Sequence, residues 1–468
     1  MDNNEIDRLL LLAAVKREKT SKMWFQEEQS TISSGIMLEL VRRAAREARA
    51  RICADPKRVL LLPPDITRAH SGAGRITEEF FRIFSKTAEV HVIPTLGQHV
   101  PHTPEQNRWM FNSIPEDRIH AHDWRNGSKT IGEVPAAFVR EVSGGRADWP
   151  IPVSLNSFLL EGKWDLIVNI GHVVPHEVLG FANHNKNYFI GLGGKPMICA
   201  SHMMAACCGI ENNLGRLLTP LRRCYNKAED DYLGHLPDFY FMVVMAYGAG
   251  GGLHHTGVYA GDGQETYLAA ARASQKQNIT IVPPLKKVVT VMQGDEFHSA
   301  WVANKAIYRT RMAMADGGEL LIIAPGLRRF GEQPEVDAVI RKYGYTGTER
   351  IMDLWRNSPP GSDLRDLTHA TAHLVHGSTE GRFTVTYAPG GLSEDEIRGV
   401  GFQHLDLATA RQHYDPARMH NGFNVMPDGE EVFHINTPSA GLWSTREKLA
   451  DSGQALENNF AQLTEDYI

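Results

Sequence analysis

Cysteine is scarce in this chain, and its spacing fits no structural site. The number of cysteines is odd and none form a C-x-x-C pair: Cys53, Cys199, Cys207, Cys208 and Cys224. Disulfide-stabilised secreted domains and zinc-knuckle domains both need paired cysteines at regular spacing. The sequence therefore argues against both classes and predicts free cysteines in a reducing compartment.

Apolar runs long enough to cross a membrane are missing from the N-terminal region. The run LLLLAAV from Leu9 has only seven apolar residues, whereas a membrane-spanning helix needs about 20. An acidic segment precedes it, and a signal peptide would begin with a basic one. We therefore expect a soluble, cytoplasmic protein with no membrane partner.

The chain also lacks a strong excess of one charge sign. It carries 49 basic and 55 acidic residues, a net charge of −6, which offers no broad attraction to nucleic acid. Internal repeats and low-complexity segments are absent from the sequence. Its 468 residues, 42% hydrophobic and 22% charged, suffice for two or three globular domains.

Short apolar runs alternate with segments of helical periodicity. Each run ends at Pro, Gly or Asp, and together they predict buried strands at 58–65, 88–94, 164–171 and 319–326. Amphipathic patterns predict helices at 36–52 and 296–315, and Thr103–Gln106 has the form of a capping box. The alternation predicts an α/β fold of two domains with mainly parallel sheets.

Two further segments bear on the domain organisation. Residues 239–262 predict a hairpin around the sequence GAGGG, which lacks the lysine and spacing of a phosphate-binding loop. A change of domain is expected near 275–285. We assign 1–278 to an N-terminal domain and 279–440 to a C-terminal one, with the active site in the cleft between them.

Polar residues follow several predicted strands, where open α/β sheets bind ligands. Arg68 follows the first strand and could clamp a carboxylate or phosphate with its planar fork, with Asp65 orienting it. An ordinary surface ion pair is the alternative. His99 and His176 follow other strands, and a histidine pair on opposite faces of one hydroxyl could exchange protons with both stereoisomers.

The segment from Gly171 to Gly194 crowds histidines and asparagines around one lysine. His172 and His176 have the spacing of zinc ligands on a helix, but Pro175 between them argues against a helix. Lys186 could form a covalent link if burial lowers its pKa. A solvated loop lysine is the alternative from the residues alone.

Taken together, these fragments resemble the lactate racemase family, which uses a nickel-pincer nucleotide. The resemblance rests on DITR at 65–68, GQH at 97–99, PHEVLGFANHNK at 175–186 and SH at 201–202. It is carried by their order and spacing and extends from about 35 to about 445.

The resemblance implies a role for each matching position. His99 and His176 match the acid/base pair, Lys186 matches the lysine that holds the cofactor covalently, and His202 matches the nickel ligand. The cofactor implied is nickel in pyridinium-3-thioamide-5-thiocarboxylic acid mononucleotide. Arg68 and Lys305 match substrate-contacting residues, Trp301 matches an aromatic position, and cofactor contacts are implied for Asp65, Thr67, Gly191 and Gly194.

The implied reaction is racemisation or epimerisation of a 2-hydroxy acid. Removing the α-proton would place a carbanion beside a carboxylate, whereas hydride transfer to the cofactor gives a planar 2-keto acid. One histidine takes the hydroxyl proton and the other returns it, and such help contributes about 10²–10⁴-fold. The expected partners are a small 2-hydroxy acid and, transiently, the cofactor-synthesis enzymes. The segment after about 440 is implied to pack on the first domain.

The chain departs from the family pattern at three places. Asn183 and His184 stand where the family commonly has two glycines, and Ile190 replaces a proline before Gly191. Val302 stands where lactate racemase has glutamine, which puts lactate itself in doubt. His172 and His184 are extra polar groups, either for a larger substrate or as hydrogen-bonded loop residues. The rival functions are a lysine- or metal-dependent lyase or hydrolase and a non-catalytic small-molecule binding protein.

Overall fold

The computed structural model describes residues 22–247, 252–292 and 297–450. The apolar run from Leu9 and most of GAGGG lie outside the described residues. The chain divides into two compact units. The first comprises the chain up to Ser201 together with Arg216–Gln277, and the second comprises His202–Gly215 together with the chain from Asn278 onward.

The first unit is built on a six-stranded sheet in the order β1-β10-β9-β6-β2-β3. Strands β9, β6, β2 and β3 run parallel, and β10 and β1 add two antiparallel pairings. The same unit contains two separate antiparallel strand pairs, β4 with β5 and β7 with β8. The strands are β1 Met23–Glu28, β2 Arg58–Leu62, β3 Glu89–Val92, β4 Ser128–Val134, β5 Ile151–Asn156, β6 Leu166–His172, β7 Pro175–His176, β8 Gly180–Phe181, β9 Asp238–Tyr247 and β10 Leu253–Gly261.

Eight α-helices begin in the described part of this unit. They are α1 Ser34–Arg51, α2 Ala73–Phe84, α3 Pro104–Met110, α4 Ala136–Val142, α5 Ser157–Glu161, α6 Lys195–Cys208, α7 Pro220–Ala228 and α8 Gln264–Asn278. The Ser33 hydroxyl caps α1 by accepting from the amide of Ile36. A 3-10 turn at Ile66–Ser71 and a π-turn at Asn187–Gly191 follow β2 and β8.

The core of the first unit forms between the sheet and the helices that cover it. Apolar positions of α1 recur at helical spacing and are buried, for example Val41, and α2 contributes Phe80. These residues pack with Val168 of β6 and Phe241 of β9. The packing holds the sheet rigid, so the loops at its carboxyl edge have a fixed support.

The second unit contains its own six-stranded sheet in the order β15-β14-β13-β12-β17-β16. Four of its five strand pairings are parallel. The strands of this unit, including the separate pair of β11 with β18, are β11 Ile279–Ile281, β12 Leu285–Val291, β13 Met314–Ala324, β14 Phe383–Pro389, β15 Gln403–His404, β16 Gly422–Val425, β17 Glu431–Ile435 and β18 Leu442–Ser444.

Helices flank this second sheet along the sequence. They are α9 Ala300–Ala303, α10 Lys305–Thr310, α11 Pro334–Tyr343, α12 Thr348–Asn357, α13 Asp363–Asp366, α14 Thr368–Gly377, α15 Glu394–Gly399, α16 Leu407–His413 and α17 Arg446–Ala450. Its core includes Val289, Leu321 and Ala388 from three neighbouring strands. Both sheets are therefore mainly parallel, and the predicted α/β fold with two sheet-bearing regions is confirmed.

Most of the predicted elements are present. The four predicted strands correspond to β2, β3, β6 and β13, the helix at 36–52 corresponds to α1, and the hairpin corresponds to β9 and β10. The capping box at Thr103 and Gln106 is formed by both of its hydrogen bonds. The five cysteines are free, as expected.

The helix predicted at 296–315 is wrong in its extent. It is broken into α9 and α10 at Asn304, and Met314 already begins β13. Asn304 is fully buried, with its amide oxygen accepting from the Tyr387 hydroxyl at 2.7 Å. Tertiary hydrogen bonding at this position overrides the helical periodicity of the sequence.

The predicted domain limits of 1–278 and 279–440 and the cleft between the domains stay predictions. The structure places His202–Gly215 with the second unit. In that unit β18, which lies beyond residue 440, pairs in parallel with β11. Residues 451–468 of the segment expected to return to the first domain lie outside the described residues.

Candidate active site

The carboxyl edge of the first sheet brings several predicted residues into one region. Strands β2, β3 and β6 are parallel neighbours, so the loops that follow them leave the same edge. Asp65 and Arg68 follow β2, His99 follows β3, and His176 follows β6. A backbone hydrogen bond of 2.9 Å from Gly97 to Gly191 joins the His99 loop to the segment after Lys186.

Asp65 is buried and fully engaged with its neighbours. Its carboxylate lies 2.5 Å from His99 Nδ1 and accepts a second hydrogen bond of 2.7 Å from the Thr67 hydroxyl. Burial opposes ionisation, but the charge and hydrogen bonds of His99, the Thr67 hydroxyl and the charge of Arg68 outweigh it and lower the pKa of Asp65. Asp65 is therefore a carboxylate that orients His99.

The hydrogen bonds of the two predicted acid/base histidines give them opposite tautomers. The Asp65 carboxylate only accepts, so His99 carries its proton on Nδ1 and presents a bare Nε2. His176 accepts from the amide of Val178 through Nδ1 at 3.2 Å, so its neutral ring carries the proton on Nε2. Both rings are thus oriented through their Nδ1 atoms, and their predicted acid/base roles stay predictions.

The environment of Lys186 lowers the pKa of its amine, chiefly through burial. Burial of the ammonium, followed by the charge of Arg68, lowers its pKa to about 8, although the carboxylates of Asp65 and Glu177 act in the opposite direction. Burial also lowers the pKa of Arg68, against the same two carboxylates. These groups therefore form one electrostatic cluster, and a larger fraction of Lys186 is a neutral amine near neutral pH than for a solvated lysine.

The backbone before Lys186 follows an unusual path. Asn183 and His184 both have left-handed angles, with φ of 69° and 60°. The Asn183 side-chain oxygen accepts from the amide of His184 at 2.5 Å and from Asn187 Nδ2 at 3.3 Å. This sharp double turn sets the direction in which Lys186 leaves the loop.

The extra histidines of this segment have different environments. His184 is buried and its ring packs against Tyr240 and Tyr267, with centroid distances of 4.3 and 5.2 Å. This aromatic packing favours a structural role for His184. His172 is also buried, at the end of β6, and its ring meets the edge of the His70 ring at 5.9 Å.

Gly191 and Gly194 are needed for close packing within the chain. A Cβ on Gly191 would lie 2.5 Å from Thr95 Cβ, and a Cβ on Gly194 would approach the hydroxyls of Ser128 and Ser154 within 2.4 Å. Both glycines therefore allow close approach of neighbouring segments. Their predicted role in cofactor binding stays a prediction.

Two residues that the sequence prediction missed support this site. His102 Nε2 accepts from the amide of Ile66 at 2.8 Å, at the start of the turn that carries Arg68, while its Nδ1 lies 3.1 Å from Asn107 Oδ1. Arg222 of α7 is completely buried and donates to three oxygens of the loop before Lys186. His102 lies three residues after the GQH fragment and Arg222 lies far from every fragment, and in both cases the fold reveals the partners.

The remaining predicted residues belong to the second unit. His202 lies partly buried on α6, and Lys305 begins α10. The ring of Trp301 stacks on that of His373 at 4.3 Å with an interplanar angle of 23°. Val302 is partly buried beside Trp301 in the sequence.

His373 is held by three other side chains of the second unit. Its Nδ1 lies 2.8 Å from the Tyr308 hydroxyl, and its Nε2 lies 2.9 Å from the Tyr345 hydroxyl and 3.4 Å from Asn304 Nδ2. Because the Asn304 amide group can only donate, Nε2 accepts and Nδ1 donates. The helices that carry Trp301 and Lys305 are thus joined to a buried polar network.

The residues of the first unit fit the cofactor that the resemblance implies. Lys186 is a partly buried lysine with a lowered pKa, which favours the neutral amine that covalent attachment would use. Within 22–247, 252–292 and 297–450, no three His, Cys, Asp or Glu side chains are grouped as a metal site. A nickel ion held by His202 would therefore need its other donors from the nucleotide's sulfur and carbon atoms.

Comparisons with known proteins point to the same family. Residues 22–213 match the family model described as the lactate racemase N-terminal domain. No curated protein matches the chain. Across the described residues, no helix is both long and apolar enough to traverse a membrane.

Two solved structures share the fold over most of the chain. A crystal structure of a Thermotoga maritima protein is 22% identical, with a TM-score of 0.74, and the match covers 90% of this chain and 100% of that one. The lactate racemase apoprotein of Thermoanaerobacterium thermosaccharolyticum is 15% identical, with a TM-score of 0.64, and the match covers 87% and 92%. Residues 22–213 therefore match the lactate racemase N-terminal domain, and the two solved structures share the fold of the chain.

Proposed function

We propose that this protein is a racemase or epimerase of a 2-hydroxy acid. The observation that carries the proposal is that both histidine rings are oriented through Nδ1, His99 by the Asp65 carboxylate and His176 by the amide of Val178. Inverting a carbon that bears a hydroxyl requires one group that takes the hydroxyl proton and another that returns it on the opposite side. A neutral histidine and a protonated one can exchange these duties when the substrate is the other stereoisomer.

The first proton transfer is assigned to His99. Its bare Nε2 accepts the hydroxyl proton, and the Asp65 carboxylate at Nδ1 stabilises the imidazolium that results. His176, when its ring is protonated on both nitrogens, would then donate the Nε2 proton to the alkoxide of the product and become neutral. For the reverse reaction the two rings start in the opposite protonation states, and the same atoms act in the opposite order.

The substrate carboxylate is assigned to Arg68, with Lys305 as a second cationic contact. The guanidinium of Arg68 can bond two carboxylate oxygens at once. Asp65 and Glu177 lie near Arg68 and hold its charge in the site. Val302 offers no hydrogen bond, so a substrate with an apolar group at that position is favoured over one that requires the amide of a glutamine.

Lys186 and His202 are assigned to hold the nickel-pincer nucleotide. The Lys186 amine would form the covalent link, and the imidazole of His202 would bind nickel. When bound, the group accepts a hydride from the substrate α-carbon and returns it. The resemblance also assigns four further residues to cofactor binding. These are Asp65, Thr67, Gly191 and Gly194.

The test is the intact mass and metal content of the protein co-expressed with the cofactor-synthesis enzymes. We expect an adduct on Lys186 with bound nickel, and racemisation of a 2-hydroxy acid from a substrate panel with retention of the α-hydrogen. Lys186→Ala should lose the adduct and all detectable racemisation while keeping its thermal stability, because a loop lysine contributes little packing.

Lys195→Ala is the matched control, since Lys195 is another partly buried lysine nine residues further along the chain. This variant should keep both the adduct and the activity. A bare Lys186 with stoichiometric zinc would contradict the proposal and favour a metal-dependent lyase or hydrolase. Binding of the acid without scrambling of its chirality would favour a non-catalytic binding protein.

A further inference from the structure

A buried arginine, Arg222, donates hydrogen bonds to the loop that carries Lys186. It lies in the first turn of α7, which begins after Thr219, whose hydroxyl accepts from the amide of Arg222 at 3.1 Å. None of the Arg222 surface is exposed. A completely buried guanidinium is costly unless its donors are satisfied, so its partners indicate what it is retained for.

All of the hydrogen-bond partners of Arg222 Nη1 and Nη2 belong to the five residues before Lys186. Nη2 donates to the carbonyl of Phe181 at 2.7 Å, and Nη1 donates to Asn185 Oδ1 at 2.5 Å and to the carbonyl of Asn183 at 3.3 Å. The guanidinium also stacks over the Tyr267 ring at 4.3 Å. The planar fork thus spans the whole double turn.

This turn needs such a partner because its own backbone cannot supply one. Asn183 and His184 are both in the left-handed region, so the segment forms neither a helix nor a strand ladder. Buried carbonyls without a donor would cost about 1–3 kcal/mol each. Arg222 provides donors for two of them and for the Asn185 side chain at the same time.

A second arm of the network fixes Asn185 from the other side. Asn185 Nδ2 donates to Asn226 Oδ1 at 2.8 Å and to Glu229 Oε2 at 3.0 Å. The other oxygen of Glu229 accepts from the Tyr240 hydroxyl at 2.7 Å. Asn185, the residue directly before Lys186, therefore has its amide oxygen and nitrogen bound in fixed directions.

The geometry leads us to propose that Arg222 is a positioning residue that holds Lys186 in its partly buried position, with its amine prepared for covalent attachment. The inference rests on the proposed function for the purpose of this amine, and on the hydrogen bonds alone for the positioning. A lysine at position 222 would keep the charge but could not serve three acceptors in one plane. Loss of the fork should let the loop relax and expose Lys186 to water.

The experiment measures the amine directly in protein expressed without the cofactor-synthesis enzymes. Lys186 is labelled with acetic anhydride across a pH series, and its modification is followed by peptide mass spectrometry. The pH midpoint is the readout, because the plateau rate also depends on access. We expect a midpoint near 8 in the wild-type protein. In Arg222→Lys it should rise by about one unit, as the amine regains solvation.

Two further variants keep the test decisive. Arg223→Lys is the matched control, because Arg223 is the exposed neighbour on the same helix, and its midpoint should equal that of the wild type. Asn185→Ala removes one acceptor of the fork and should shift the midpoint in the same direction by a smaller amount. If Arg222→Lys does not fold, Asn185→Ala decides alone.

An unchanged Lys186 midpoint in folded Arg222→Lys, or in Asn185→Ala where Arg222→Lys does not fold, overturns the inference. This outcome is distinguishable from failure of the proposed function, because labelling requires no cofactor. Suppose that the wild-type protein carries the adduct but the Lys186 midpoint of Arg222→Lys equals that of the wild type. The proposed function would then stand, and the positioning role of Arg222 would be rejected. Suppose instead that the Lys186 midpoint shifts in Arg222→Lys but the wild-type protein never acquires an adduct. The positioning role would then stand, and covalent attachment at Lys186 would be rejected.

Discussion

Two neighbouring residues, Asn183 and His184, occupy the backbone positions where the lactate racemase family commonly has glycines. A left-handed conformation costs a non-glycine residue about 1–2 kcal/mol. Asparagine tolerates it best, because its side chain can bond the local backbone, as the Asn183 side chain does with the amide of His184. His184 offsets its own cost by packing between two buried tyrosines. The chain thus keeps the turn while changing the residues that form it.

The Asp65–His99 contact leads to a prediction for catalysis. Asp65→Asn places an amide beside Nδ1, whose NH₂ group can donate to the ring and favour the tautomer with the proton on Nε2. His99 then lacks a bare nitrogen to take the substrate proton, and kcat should fall by about 10²-fold or more. Chiral chromatography of the product on protein of verified cofactor content measures this loss.

Asp55→Asn is the control for that variant, because Asp55 is an exposed carboxylate paired with Lys57 at the surface. Its activity should match the wild type. His99→Ala and His176→Ala should each lose turnover with the cofactor still attached. Full racemisation in Asp65→Asn or in either histidine variant would remove that residue from the proposed proton transfers.

His102 makes the start of the Arg68 turn sensitive to acid. Burial lowers the pKa of His102 below its ordinary value of 6.5, and a protonated ring could no longer accept from the amide of Ile66. A base whose folded pKa is depressed binds protons more readily in the unfolded chain. Above pH 6.5, His102 therefore does not change the free energy of unfolding. As the pH falls from 6.5 toward the pKa of His102 in the folded protein, the free energy of unfolding decreases.

His102→Gln tests this dependence, because the glutamine oxygen can accept from the same amide without titrating. We expect the decrease in melting temperature between pH 7 and pH 5 to be smaller in this variant than in the wild type. The comparison between the two proteins cancels the contributions of other buried histidines. An identical decrease in both proteins would show that His102 does not limit acid stability.

Among the elements, α14 has an unusual composition that the fold explains. Its sequence THATAHLVHG places His369, His373 and His376 at helical spacing, and all three are buried. His373 bonds the hydroxyls of Tyr308 on α10 and of Tyr345, and it stacks on Trp301 of α9. The helix therefore supports the two short helices that present Trp301 and Lys305.

This support predicts a clear stability effect. His373→Phe keeps a ring against Trp301 but removes the partner of two buried hydroxyls, and should lower the free energy of unfolding by about 2–4 kcal/mol. Tyr345→Phe removes only one hydrogen bond and should cost about 1 kcal/mol. Denaturant titration measures both. Equal stability of His373→Phe and wild type would contradict the role of this network.

At the scale of the whole molecule, the sequence predicted the elements whose signal is local. The apolar runs that correspond to β2, β3, β6 and β13 end in Pro, Gly or Asp. A short, continuous apolar run is typical of a buried parallel strand. Order and spacing along these loops were enough to place Asp65, His99 and Lys186 in one region. The break at Asn304 was not predictable, because its cause is the Tyr387 hydroxyl 83 residues away.

The same reason explains why Arg222 escaped the sequence prediction. Arg222 and Arg223 are adjacent in an amphipathic helix, and nothing in their neighbours distinguishes the buried one from the exposed one. The distinction arises from the loop at 181–185, about 40 residues earlier in the chain. Pairings of this kind are defined by tertiary structure and carry no spacing signal.

The contact between Gly97 and Gly191 has a consequence for how this molecule can change over evolutionary time. The amide of Gly97 bonds the carbonyl of Gly191, and Gly191 itself lies against Thr95, where a Cβ would not fit. The loop of His99 and the loop after Lys186 are therefore joined at one point. An insertion in either loop would displace both His99 and Lys186, so we expect the two loop lengths to covary among relatives. New substrate preferences should arise instead at positions outside this junction, such as Val302.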